Sequence, residues 1–240
     1  MRKPTNSEII AAWDTAADHL SEWSDEGDFA RKYLLNPAIF ELLGETRGLR
    51  VLDGGCGEGY LTRLIARRGA IVTGVEPASR LFNLCLQHER EKPLGITYLQ
   101  QDICELRIPD SLFDGIVLNM TLMDIPDLER AITAAVGALS PGGRLVASIL
   151  HPCFDEPMSL WPQRRRVEIT EYFDEAIHPQ TFAPSFHRPL SLYINLFIES
   201  GLTINRVIEP RLNDRDAATV NDRDAHVPTF IVLGADKALK

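Results

Sequence analysis

Residues 51–60 read Val51-Leu52-Asp53-Gly54-Gly55-Cys56-Gly57-Glu58-Gly59-Tyr60. An apolar run ends in a carboxylate, passes through four glycines and continues into a segment with helical spacing. The pattern predicts a buried strand, a tight loop and a helix N-terminus. Glycines take backbone angles that other residues avoid and let a ligand approach closely. The helix start offers free N–H groups and the positive end of a dipole. In an open parallel sheet the crevice beyond the strand C-termini is the usual ligand site. The stretch therefore predicts an α/β protein with its ligand loop after the first strand.

Outward from this loop, short apolar runs alternate with helix-length segments. Strands are expected at Leu49–Asp53, Ala70–Glu76, Ile96–Asp102, Phe113–Asn119 and Gly143–Leu150, with helices near 60–68, 79–91 and 126–139. Ser140-Pro141-Gly142-Gly143 reads as a turn feeding the fifth strand. Such alternation implies a parallel sheet with helices on both faces. Before it, Ile9, Ile10, Trp13, Ala16, Ala17 and Leu20 recur at helical spacing, and Asn36-Pro37 starts a second short helix ending near Gly44. After it, a helix from about Leu190 to Ser200 precedes two last strands, Leu202–Glu209 and Thr229–Gly234. Their connection carries Asn-Asp-Arg-Asp-Ala twice, at 213–217 and 221–225. It lacks the turn glycine and closing Glu of a Ca²⁺ loop and reads as a solvated charged loop.

Residues 151–193 break the rhythm. They hold six of the 15 prolines, seven of the 18 aromatics and half of the six histidines. The segment reads as an inserted lid, with a Pro-rich surface excursion as the plainer alternative. Within it Thr170-Glu171-Tyr172-Phe173 could form a short strand. The expected organisation is one domain: a helical cap at 1–48, a ligand-binding core at 49–150, the lid at 151–193 and closing strands at 194–240.

Composition bounds the function. The chain has 240 residues and a formal net charge of −9. So acidic a protein has no bulk electrostatic reason to bind nucleic acid or anionic membranes. No apolar run approaches membrane-spanning length, and Met1–Ser7 leads into no apolar signal region. Cys56, Cys85, Cys104 and Cys153 are scattered, which fits neither a disulfide framework nor a zinc site. His151-x-Cys153 has no further ligand nearby, so no metal is assigned. The simplest assignment is a reduced cytoplasmic protein, a monomer or homodimer.

The loop's ligand follows by exclusion. A P-loop needs Gly-Lys-Ser/Thr, which is absent. The dinucleotide fingerprint Gly-x-Gly-x-x-Gly fails, because Tyr60 follows Gly55-x-Gly57 where a glycine is needed and Thr62 follows Gly57-x-Gly59. Asp53 and Glu58 put negative charge where a pyrophosphate would sit and suit a ligand with a cationic portion. Glu76 ends the second strand 21 positions after Gly55, a spacing that serves ribose hydroxyls. Asp102 ends the third, placed to accept from an exocyclic amine such as adenine N6. Three acids at the ends of three successive strands share one crevice.

Here the sequence resembles the class I S-adenosylmethionine-dependent methyltransferases, in particular the small bacterial type 11 group. Asp53–Gly59 is similar to that family's first motif, Gly74-Val75-Glu76-Pro77 to its second and Gln101-Asp102-Ile103 to its third. Leu112–Asn119 is similar to the fourth, and Ser140–Leu145 to its Pro-Gly-Gly turn. Gly54 stands where an apolar residue is usual, and Glu76 where Asp is commoner. The resemblance implies a Rossmann-like seven-stranded sheet, mostly parallel with an antiparallel last strand. It implies S-adenosyl-L-methionine as cofactor, with Asp53, Gly54, Gly55 and Gly57 at its methionyl portion. Glu76 would hold the ribose and Asp102 the adenine N6. Pro77 and Ile103 would flank the adenine ring, and Asn119 and Met120 would lie near the sulfonium. Trp13, Arg31 and Tyr33 are candidates for the covering cap.

Methyl transfer is an in-line displacement on an activated methyl, so alignment supplies most of the rate. A base is needed only for an acceptor that arrives protonated. His151, directly after strand five, is the first candidate, His187 the second and Tyr193 the third. The lid aromatics predict a small aromatic or apolar acceptor. Arg164-Arg165-Arg166 could meet an acidic acceptor or be a solvated run. Alternatives are methylation of RNA or protein, a non-catalytic S-adenosylmethionine-binding module and a nicotinamide oxidoreductase.

Overall fold

The structure, a computed structural model, describes residues 2–20, 25–108, 112–154, 161–169, 171–175, 177–178, 182–213 and 222–239. The strands are β1 (Arg50–Gly54), β2 (Ile71–Val75), β3 (Thr97–Leu99), β4 (Phe113–Asn119), β5 (Leu139–Leu150), β6 (Ile177–His178), β7 (Ser185–Phe186), β8 (Leu202–Ile208) and β9 (Phe230–Lys237). The helices are α1 (Asn6–Leu20), α2 (Asn36–Leu43), α3 (Tyr60–Arg67), α4 (Ser79–Glu91), α5 (Leu128–Ala138), α6 (Trp161–Arg164) and α7 (Leu190–Glu199). A π-helical turn, Arg31–Leu35, leads into α2.

Seven strands form one sheet in the order β3-β2-β1-β4-β5-β9-β8. β1 pairs in parallel with β2 and β4, and β9 runs antiparallel to both its neighbours, β5 and β8. The mostly parallel, doubly covered sheet with a reversed last strand is thus as expected. The strand order turns back between β1 and β4, so a crevice opens beyond the ends of those two strands.

Alternate residues of each strand feed opposite faces. Leu52, Ile116, Leu118, Leu145 and Leu233 pack with Ile132 of α5 and Tyr193 and Phe197 of α7. Val51, Val72, Val117, Val146 and Val232 pack with Ile39 and Leu42 of α2 and Leu61 and Ile65 of α3. Burial on both faces explains why these strands read as continuous apolar runs. The first helix does not join either layer. Ala17 and Leu20 of α1 pack on Ala78 and Leu81 at the start of α4, which lays α1 across the strand ends. Among the described residues no helix is long and apolar enough to cross a membrane.

Two expectations are corrected. β5 begins at Leu139, because Ser140–Gly143 is absorbed as a bulge: Phe113 pairs with Leu139 and Gly115 already with Arg144. Residues 171–174 form a turn rather than a strand, closed by a 2.8 Å bond from Asp174 N to Glu171 O. The strands of this segment are instead β6 and β7, a small antiparallel hairpin. Most of the repeated Asn-Asp-Arg-Asp-Ala connection lies outside the described residues.

Candidate active site

Asp53 sits at the end of β1, 1% exposed, and accepts a 2.6 Å bond from Thr62 Oγ1 of α3. Burial pushes its carboxyl up to about 6, against the pull of the Thr62 hydroxyl. The glycine loop is pinned to β2, since Gly55 N and Cys56 N both donate to Val75 O, at 2.8 and 3.0 Å. Gly55 has φ +68, and a Cβ there would stand 2.5 Å from Thr121 Cγ2. Glycine is required on both counts. Gly54 has a different reason: its missing Cβ would lie 2.7 Å from Leu118 Cδ2 and 3.1 Å from Ile103 Cδ1. Neighbouring side chains fill the space that an apolar residue would take.

Glu76 follows β2 with its carboxylate spanning two backbone donors, Gly57 N to Oε2 and Ala78 N to Oε1, each 2.9 Å. Burial pushes this carboxyl up to about 7, and the two N–H bonds only partly offset that. Asp102 Oδ1 caps the short turn Ile103–Glu105 through Cys104 N at 2.9 Å, and its Oδ2 accepts from Asn6 Nδ2 at the start of α1. Asn119 at the end of β4 donates from Nδ2 to Tyr60 Oη at 2.8 Å and accepts from Ser148 Oγ at 2.7 Å. Met120 has φ +57, a costly conformation for a side-chain-bearing residue, held by bonds from its N–H to Ser148.

These residues line an open cleft whose empty space, adjoining solvent included, is roughly 940 Å³. Asp53, Gly55, Gly57, Glu76, Pro77, Asp102, Ile103, Asn119 and Met120 all line it, whereas Gly54 lies behind the wall. Trp13 and Arg31 line it too; Tyr33 is 45% exposed and packs on Phe29 instead. Asn6, Tyr60, Thr121 and Asp124 also line the wall and carry no motif in the sequence. Only tertiary packing gathers them.

None of the three acid–base candidates lines this cleft. His151 is 3% exposed; Cys153 N donates to its Nδ1 at 3.2 Å, so Nε2 carries the proton and donates to Glu209 Oε1 at 2.9 Å. His187 Nε2 bonds Tyr172 O at 3.0 Å, and Tyr193 is buried in the core beside α5. Nor does any described residue of 151–193 line the cleft. The segment braces its wall: Phe182 packs on Trp13 with centroids 6.1 Å apart, and β7 packs on the turn Leu122–Asp124. Arg164 and Arg166 pair with Glu168, and Arg165 with Asp222, so the arginine run is spent on surface ion pairs.

Comparisons with known proteins agree with this geometry. A family described as "Methyltransferase domain" matches residues 52–147. A ubiquinone biosynthesis O-methyltransferase of Coxiella burnetii is 33% identical over 135 residues, 55% of this chain and 58% of that protein. The chain thus spans somewhat under three fifths of the length of this relative. A crystal structure of an S-adenosylmethionine dependent methyltransferase from Mesorhizobium loti superposes with TM-score 0.72 at 27% identity, over 84% of this chain and 96% of that one. The cyclase SpnF shares the fold alone, at TM-score 0.73 and 18% identity over 100% of this chain and 99% of that one.

Fold, cleft and likenesses agree in making the chain similar to the class I S-adenosylmethionine-dependent methyltransferases. Residues 52–147 match the methyltransferase domain of such proteins, and S-adenosylmethionine is the cofactor. The residues present fit that group. The lining carries five carboxyl groups, on Asp53, Glu58, Glu76, Asp102 and Asp124, against one guanidinium, Arg31. A cationic ligand gains from that balance. Glu58 pairs one oxygen with Arg63 at 2.8 Å, while its buried Oε1 has no partner among the described residues.

Proposed function

We propose that the protein transfers the methyl group of S-adenosylmethionine to a small aromatic or apolar acceptor. The observation that carries this reading is the mixed lining of the cleft, where the carboxyls of Asp53, Glu76 and Asp102 share the wall with the apolar side chains of Ile9, Ile10, Trp13, Met120 and Ile125. The bound cofactor supplies a methyl on a sulfonium sulfur, which departs as a neutral thioether. Glu76 would accept the ribose hydroxyls and Asp102 the adenine amine, with Pro77 and Ile103 beside the ring. Asp53 and the loop through Gly57 would face the methionyl portion. Met120, Trp13 and Ile10 would hold an acceptor dry and in line, which supplies most of the rate.

The relative's name, an O-methyltransferase of ubiquinone biosynthesis, supports an oxygen acceptor. An acidic cleft speaks against a nucleic acid strand, whose phosphates it repels. Four free cysteines, three of them buried, fit a reducing cytoplasm. Calorimetry with S-adenosylmethionine, S-adenosylhomocysteine and NADH tests the cofactor, followed by radiolabelled methyl transfer to a panel of phenols, amines and apolar acids. Binding of the first two and transfer to a panel member is the expected result. NADH binding without S-adenosylmethionine binding would overturn it. Cofactor binding with no transfer to any member would favour a non-catalytic module.

A further inference from the structure

His187-Arg188-Pro189-Leu190 lies outside the cleft, yet it is fastened to the cleft wall. Arg188 is 3% exposed and spends its guanidinium on backbone carbonyls. It donates from Nη1 to Leu122 O at 3.3 Å, and from Nη2 to Ile125 O at 2.6 Å and Pro126 O at 3.2 Å. Ile125 and Pro126 belong to no helix or strand, so their carbonyls need partners from another part of the chain. A planar fork with donors in fixed directions suits three carbonyls that a lysine's point charge could not serve at once.

The stretch that Arg188 grips brings Thr121, Asp124 and Ile125 to the cleft. Its near end is tied to the glycine loop, since Thr121 Oγ1 donates to Gly54 O at 3.1 Å. Asp124 N donates to Thr121 O at 3.0 Å and closes the turn between. Its far end, at Ile125 and Pro126, is held by Arg188. Arg188 is fixed in its turn. Its guanidinium lies 4.9 Å from the Phe186 ring centroid, and Lys3, ahead of α1, stands 5.3 Å from the same ring. On either side of it, His187 Nε2 donates to Tyr172 O at 3.0 Å and Leu190 N to Tyr172 Oη at 2.8 Å.

We propose that Arg188 is a positioning residue for the methyl acceptor, acting through the turn after β4. This rests on the methyltransferase reading above. Under that reading Asp53, Glu76 and Asp102 serve the cofactor, and none of the Arg188 bonds reaches them. The turn continues from Asn119 and Met120, beside the sulfonium, so Asp124 and Ile125 stand where the acceptor must be held. Releasing the far end of the turn shifts that wall, while the Thr121 anchor keeps the glycine loop in place. In-line transfer punishes such a shift, because a misplacement of about 1 Å can cost about 100-fold in rate.

The test uses the full chain, radiolabelled S-adenosylmethionine for turnover and S-adenosylhomocysteine for binding. Catechol, tyramine and decanoic acid are the acceptor probes, and the one that the wild type methylates fastest is used for the variants. Arg188→Met removes all three bonds and keeps an unbranched chain. Its kcat/KM for that probe should fall by about 100-fold, while S-adenosylhomocysteine affinity stays within about threefold. Arg188→Lys keeps the charge without the fork and should show the same split with a smaller fall, about tenfold. Should Arg188→Met not fold, Arg188→Lys decides alone. Amide exchange read by mass spectrometry should quicken in residues 121–128 of the variant and not in residues 53–60. A kcat/KM within about threefold of wild type would overturn the proposal. So would cofactor affinity falling in step with kcat/KM, which would leave Arg188 as a support of the whole fold. A wild type that binds no S-adenosylhomocysteine, or methylates no probe, would sink the underlying reading instead.

Discussion

Gly57 N donates to Glu76 Oε2 at 2.9 Å, which ties the loop after β1 to the acid after β2. The bond explains how a flexible glycine loop becomes a rigid site. The other Glu76 oxygen is held by Ala78 N at 2.9 Å, so the carboxylate has one orientation before any ligand arrives. A group fixed in advance costs little reorganisation on binding. The cost appears elsewhere, in a buried carboxyl whose pKa rises to about 7.

Replacing Glu76 with Ala should weaken S-adenosylhomocysteine binding by about 1.5–3 kcal/mol, since a charged acceptor to ribose hydroxyls is lost and two N–H groups are orphaned. Calorimetry checks this. An affinity unchanged within twofold would place the ribose elsewhere.

The pH dependence follows from two raised carboxyls. Glu76 titrates at about 7 in the fold against 4.5 for the free side chain, and Asp53 at about 6 against 3.8. Within those windows the native state keeps protons that the unfolded chain has released. Their contribution to unliganded stability therefore falls as pH rises from about 4 to 7 and is flat above. Cationic S-adenosylmethionine prefers both groups ionised, so its affinity should rise over the upper part of the same range. Melts at pH 5.5 and 8, with and without cofactor, should show the larger cofactor-induced shift at pH 8. An equal shift at both would mean that neither acid titrates on binding.

Gly55→Ala meets two penalties at once, a left-handed φ of +68 and a 2.5 Å approach to Thr121. The expected result is a loss of about 1–3 kcal/mol in stability and weaker cofactor binding. Thr121→Ser in the same chain removes the methyl in the way and should recover part of the loss. Denaturant unfolding of the single and double variants measures both effects.

The sheet and the cofactor end of the cleft were legible because local patterns carry them. Leu52, Val117 and Val146 sit in apolar runs, and Asp53, Glu76 and Asp102 sit where those runs stop. The rest of the lining was legible only in part: Trp13, Arg31 and Met120 were expected there, whereas Ile9, Ile10, Asp124 and Ile125 come from α1 and the turn after β4 and carry no local signal. Nothing in the local sequence of Asp124 says that it will share a cleft wall with Trp13, over a hundred positions earlier. The start of β5 was misread for a related reason. Ser140-Pro141-Gly142-Gly143 has turn chemistry, yet pairing of Leu139 with Phe113 carries the strand through it as a bulge. Tyr33 has the aromatic character of a cap but faces out.

His151 illustrates how sequence position and geometry diverge. It follows β5 at the ligand-binding edge of the sheet, and a near-neutral pKa is ordinary for its type, so a base was a natural expectation. In the fold its Nδ1 accepts from Cys153 N and its Nε2 donates to Glu209 Oε1 at 2.9 Å, joining the end of β5 to the stretch after β8. Its ring also packs on Phe154, with centroids 4.9 Å apart. A nitrogen free to take a proton from an acceptor is absent from that arrangement. His151→Ala should therefore cost about 1–3 kcal/mol of stability through the orphaned Cys153 N–H and the lost packing. Its kcat should stay within about tenfold of wild type and keep the acid limb, since a general base contributes about 10²–10⁴-fold. Thermal unfolding and a pH–rate profile on the same preparation separate the two roles. A fall of 100-fold or more in kcat, with the acid limb gone and the melting temperature unchanged, would return the base to His151.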